Sequence, residues 1–100
     1  STNQRKNIKF DLIKNKDFSS YIRLDVLDKH GVLSDITKIM AYNKISIKRL
    51  IQNPFKSKKH SSIVIIAHKV KDVQLMKCLK TLSKKNYIVE KPKLIRIEDV

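Results

Sequence analysis

The chain has 100 residues, 41% of them apolar, a net charge of +14 and one cysteine. That is material for one folding unit with a single core, and it excludes an enclosed catalytic cleft joined to a separate cofactor domain. Lysine supplies 19 of the 23 basic residues and is spread along the whole chain beside many isoleucines and asparagines, so the charge reads as compositional drift and not as nucleic-acid recognition, which favours arginine.

Residues 1–19 carry two short apolar groups, Ile8 with Phe10 and Leu12 with Ile13, among polar residues. They read as a connector from a catalytic part that this chain lacks, with Ile8 to Leu12 as a candidate extra strand, and the domain proper is expected over 20–100. The alternation in Tyr21-Ile22-Arg23-Leu24-Asp25-Val26 predicts a half-buried strand. Asp28-Lys29-His30-Gly31 then turns the chain around its only glycine. Leu33, Ile36, Ile39 and Met40 follow at helical spacing, with an end expected near Asn43-Lys44. Ile45 to Gln52 reads as a second strand, broken by Asn53-Pro54. The cluster Lys56, Lys58, Lys59 and His60 is expected in a solvated hairpin loop. Ser62 to His68 is apolar on both faces and should be a central strand. A second helix is predicted over Asp72 to Lys84, with Val73, Met76, Leu79 and Leu82 or Cys78 inward and Lys77, Lys80 and Lys84 outward. The last strand, Tyr87 to Val89 and then Leu94 to Ile97, is interrupted at Lys91-Pro92. The order βαββαβ with right-handed crossovers gives an α+β, ferredoxin-like fold: a four-stranded antiparallel sheet with two helices on one face.

The glycine turn is the most informative feature. Glycine accepts positive φ and permits close approach of another chain or a ligand. The helix-start amides of Val32, Leu33 and Ser34 have no intrahelical acceptors and suit a carboxylate or phosphate; equally, the turn can be a plain strand-to-helix joint capped by Asp28 or Ser34. No GxGxxG or GxxxxGK[ST] supports a nucleotide cradle. Ser62 to His68 holds no aromatic residue for base stacking, which opposes an RNA-binding use of the fold. His30, His60 and His68 have no ligand-like spacing, and Cys78 reads as a helix-packing residue, so neither a metal site nor a catalytic set is expected. No long apolar run marks a membrane span or an export signal, which places the chain in the cytoplasm by default.

Tyr21-Ile22-Arg23-Leu24, Asp28-Lys29-His30-Gly31-Val32-Leu33, Ile36, Ile45-Ser46-Ile47 running to Ile51-Gln52, Ile63-Val64-Ile65 with His68, and Pro92 followed by Ile95-Arg96-Ile97-Glu98 together resemble the ACT domain. The likeness is strongest to the C-terminal regulatory ACT domain of bacterial homoserine dehydrogenases and spans residues 20 to 99. It departs from the family at His30, where proline is usual. The resemblance implies a non-catalytic module that binds an amino acid, L-threonine above all, for feedback control of threonine and methionine biosynthesis. It implies a homodimer through the sheets and, in the parent enzyme only, NAD(P). It points to a ligand site made by His30, Gly31, Val32 and Leu33 from the turn and Ser46, Ile47 and Gln52 from the second strand, completed between copies. An assembly module without ligand binding, and more remotely a lysine-based nucleic-acid binder, are the other uses it leaves open.

Overall fold

The computed structural model describes residues 17–54 and 59–97, so Ile8 to Leu12, Lys56 and Lys58 lie outside the described residues. Strand β1 (Asp17–Leu27) leads into helix α1 (Val32–Tyr42), strands β2 (Ile47–Pro54) and β3 (His60–Lys71), helix α2 (Asp72–Ser83) and strand β4 (Lys93–Ile97). The sheet is antiparallel throughout in the order β2-β3-β1-β4. This is the expected ferredoxin-like arrangement, with β3 central as its two-faced apolar sequence requires.

The core lies between the sheet and the two helices. Ile22, Leu24 and Val26 of β1 alternate inward beside Ile63, Ile65 and Ala67 of β3, and Val32, Ile36 and Met40 of α1 close over them. From α2 the buried residues are Leu75, Cys78, Leu79 and Leu82. The expected inward Val73 and Met76 are exposed instead. Two apolar stripes overlap on this helix, and packing selects the one that places Leu75, Cys78 and Leu82 completely out of water. Burial pushes the Cys78 thiol up to about 11, in keeping with a packing role. One inward position of β1 is polar: the Ser20 hydroxyl is fully buried and finds no hydrogen-bond partner among the described residues.

Both ends of the sheet differ in detail from expectation. Strand β2 begins two residues later than Ile45 and runs through Asn53 to Pro54, which stands opposite Ser61. Proline is tolerated there because β2 is an edge strand among the described residues, with β3 as its one neighbour. At the other edge, Tyr87 to Val89 lies against β1 through a single bridge, Val26 to Ile88, while Leu27 and Val89 donate backbone N–H groups to the Tyr87 and Asp25 carbonyls at 2.8 Å each. Lys91-Pro92 interrupts the edge as predicted, and β4 resumes at Lys93 opposite Arg23.

Helix α1 ends where the sequence indicates, by a specific device. Lys44 has φ of 60°. Its N–H reaches the Ala41 carbonyl at 2.9 Å, and the Ile45 N–H reaches that of Met40 at 2.9 Å. These are the paired bonds of a Schellman motif, with buried Ile45 and Met40 as its apolar contact.

Candidate functional site

The turn after β1 is built from backbone hydrogen bonds. Asp28 N–H meets the Lys59 carbonyl at 2.6 Å, and Lys29 N–H meets that of Leu27 at 3.1 Å. Gly31 then takes φ of 83° and ψ of −10°, a left-handed conformation that carries Cβ strain for other residues. The first α-helical bond runs from the Asp35 N–H to the Gly31 carbonyl at 2.9 Å. No side chain caps the helix, so neither Asp28 nor Ser34 takes that role. Val32 N–H makes a long bond to the Lys29 carbonyl, 3.4 Å, while the Leu33 and Ser34 amides have no partner among the described residues. The anion-suited group of three amides expected from the sequence is thus a pair, Leu33 and Ser34. Nothing lies within 4 Å of where a Gly31 Cβ would stand. Positive φ, and not close approach of this chain's own atoms, is what glycine serves here.

Beside this turn is a cavity of about 240 Å³ lined by residues 26–34 together with Gln52, Ser61 and Ile63. It brings together five residues singled out in the sequence: His30, Gly31, Val32, Leu33 and Gln52. Gln52 reaches across to β3, its Nε2 donating to Ser61 Oγ at 3.4 Å. Ser61, fully buried, was not anticipated, although the period-2 pattern that sends Ile63, Ile65 and Ala67 inward already placed a lone serine on that face.

Ser46 and Ile47 lie elsewhere. Ile47 stands opposite Ala67, five residues along β2 from Gln52, or roughly 16 Å at strand rise. Ser46 is exposed, and its carbonyl accepts the His68 N–H at 2.9 Å. A register shift between Ile47 and Arg49 puts Ile47 and Gln52 on the same, helix-facing side of the sheet, which strict alternation would forbid.

Residues 22–90 match the family described as the AHAS small subunit-like ACT domain. The chain belongs to the ACT-domain family. This ACT domain is 32% identical over 79 residues to a homoserine dehydrogenase of Helicobacter pylori, an alignment that takes in 79% of the chain and 19% of that enzyme. It is 41% identical over 49 residues to the homoserine dehydrogenase of Methylobacillus glycogenes, covering 48% of the chain and 12% of that protein. Among solved structures it resembles a homoserine dehydrogenase from Thiobacillus denitrificans with a TM-score of 0.76 and 26% identity, over 87% of the chain and 19% of that enzyme. The ACT domain therefore spans about a fifth or less of the length of these relatives.

The described part of the ACT domain holds no group of three or more His, Cys, Asp or Glu side chains able to ligate a metal, and no helix long and apolar enough to cross a membrane. A three-residue side-chain joint lies outside the cavity. Tyr87 donates its hydroxyl to Asp35 Oδ2 at 2.7 Å, and Lys85 Nζ approaches the same oxygen at 3.6 Å. The Tyr87 hydrogen bond lowers the Asp35 pKa against the opposing effect of desolvation, and Lys85 adds to the lowering. Burial, then the bond to Asp35, raises that of Tyr87.

Proposed function

We propose that this ACT domain is the regulatory amino-acid-binding module of a homoserine dehydrogenase, with L-threonine as its ligand and feedback control of threonine and methionine biosynthesis as its role. The observation that carries the reading is one cavity lined both by Leu33 and Ser34, whose helix-start amides have no partner among the described residues, and by the Gln52–Ser61 pair. A ligand carboxylate fits the Leu33 and Ser34 amides, where the N-terminal end of α1 favours negative charge. Ser61 Oγ already accepts from Gln52 and keeps its own O–H to donate, while Gln52 Oε1 remains an acceptor for an ammonium or hydroxyl group. That polar floor favours a ligand with a hydroxyl over an aliphatic one. The volume of about 240 Å³ is below that of drug-sized ligand pockets and suits a small amino acid.

Ser46 and Ile47 are too far along β2 to join this cavity within one chain, so in this reading a second copy supplies them in a homodimer. The parent would be an NAD(P)-dependent cytoplasmic enzyme interconverting aspartate semialdehyde and homoserine. Its catalytic residues and nucleotide site belong to the remainder of the polypeptide.

Thermal unfolding with and without saturating L-threonine, beside isoleucine, lysine, methionine and serine, tests this. At about 100 times its dissociation constant a ligand adds roughly 2.7 kcal/mol, a rise on the order of ten degrees for a domain of this size. Threonine alone should produce the rise, and Gly31→Val should remove it, since valine at positive φ displaces the turn. No rise with any amino acid would leave the domain as an assembly module.

A further inference from the structure

We propose that the groove between α1 and α2 binds a nucleotide, its base against Tyr42 and its phosphates along Lys77, Lys80 and Lys84. The sequence spreads its lysines everywhere, but the fold does not: five of the thirteen lysines among the described residues line this one groove of about 810 Å³. Lys77 and Lys80 of α2 and Lys84 at its C-cap recur at offsets of three and four and so form one row, about 10 Å long at helical rise. Lys38 faces them from α1. None of these four makes an ion pair with a carboxylate in the described structure. A row of like charges at helical spacing works against its own helix, and a multivalent anion relieves that repulsion.

The one carboxylate in the groove, Asp35, is held by Tyr87 and Lys85 and also attracts Lys38, which leaves the α2 row of Lys77, Lys80 and Lys84 as the groove's uncompensated charge among the described residues. Opposite the lysine row the wall ends in Tyr42, whose side chain is 86% exposed although it stands on the last turn of a helix with its core face buried. An aromatic plate beside a line of ammonium groups is the arrangement that stacks a base and tracks its phosphates. The groove contains no arginine, so its ammonium groups meet an anion as point charges, a mode in which lysine binds phosphate, and the exposed ring of Tyr42 is what favours a nucleotide over another polyanion. Free nucleoside polyphosphate and single-stranded nucleic acid present the same chemistry, so the experiment separates them.

Binding of ATP, tripolyphosphate, a labelled oligothymidylate and a polyglutamate peptide to the 100-residue chain would be measured by competition in fluorescence anisotropy at about 50 and 200 mM salt. Lys77→Glu with Lys80→Glu should weaken ATP or oligonucleotide at least tenfold. The same reversal at exposed Lys48 and Lys91 should change it less than twofold. Tyr42→Ala should weaken ATP and oligonucleotide but leave tripolyphosphate unchanged. Tighter binding of the oligonucleotide with a steep salt dependence identifies a single strand as the source, and ATP binding at least as tightly identifies a free nucleotide. Equal loss in the control pair, polyglutamate matching the nucleotides, indifference to Tyr42→Ala, or no binding at the lower salt would each overturn the proposal. All substituted positions are exposed, so melting curves close to the unsubstituted chain establish folding. Lys77→Gln with Lys80→Gln repeats the test without introducing acidic groups.

Discussion

Lys44 holds a backbone conformation that its side chain disfavours. Its φ of 60° lies in the left-handed region, where a Cβ costs roughly 1–2 kcal/mol, yet the Schellman bonds to Ala41 and Met40 require that geometry. Lys44→Gly should therefore stabilise the domain by about 1 kcal/mol, less the extra unfolded-chain entropy that glycine brings. Urea unfolding should give a higher midpoint with an unchanged slope, and a lower midpoint would show that the lysine stem contributes more than the strain removes. Gly31 presents the opposite case: left-handed geometry and glycine coincide, which is why this turn was legible in the sequence. At Lys44 only the end of the helix could be read, because Asn43-Lys44 signals a stop without saying which residue turns left-handed. Ser61 was legible in principle from its inward phase on β3, but one serine at a strand end carries no sign of the Gln52 side chain that meets it from 9 residues away.

Between elements, the joint of Asp35 on α1 with Tyr87 and Lys85 beyond α2 fastens the two helices near one end of their groove. It connects residues 52 positions apart, a contact no local pattern announces. Its pH behaviour follows from the two shifts. The Asp35 pKa is lowered from 3.8 by folding, so its contribution is present above that value and is lost as pH falls through the lower folded-state value. The Tyr87 pKa is raised from 10.0, so its contribution is complete below pH 10 and is lost as pH rises beyond it. Tyr87→Phe should cost about 1 kcal/mol near neutrality, a charge-assisted hydrogen bond discounted for the partial exposure of Asp35. The difference in unfolding free energy between the two chains should shrink at both pH extremes, and a difference independent of pH would reduce the joint to packing alone. The phase of α2 belongs to this scale too. Lys77, Lys80 and Lys84 lie outward and Cys78, Leu79 and Leu82 inward as the spacing predicts, but that Leu75 and not Val73 or Met76 completes the buried stripe is decided only by the sheet beneath.

At the scale of the molecule, the fold was legible because element order and alternation leave few topologies once crossovers are right-handed. What they leave open is how the surface is used. The sheet face away from the helices presents Tyr21, Val64 and Ile66 at its centre with Ile51, Ile95 and Ile97 towards its edges, and the last three are 38%, 60% and 42% exposed. Among the described residues strand β2 has no neighbour on its outer edge, and it carries Ile47, with Ser46 just before it, away from the cavity they were expected to join. A homodimer that extends the sheet across β2 would bring these residues to a neighbouring copy, so the proposed ligand site and self-association stand together. Two chains of charge +14 repel each other, which makes the dimer sensitive to screening. Sedimentation should give twice the 11.7 kDa chain mass at high micromolar concentration, with a dissociation constant that falls as salt rises from about 10 to 150 mM. Ile51→Asp, on the β2 edge strand, should return the chain to monomer, whereas Ile95→Asp, on β4, should leave it dimeric. The reverse pattern would move the contact to the β4 edge and separate Ser46 and Ile47 from the ligand site, and monomer throughout at physiological salt would rule out pairing by either edge.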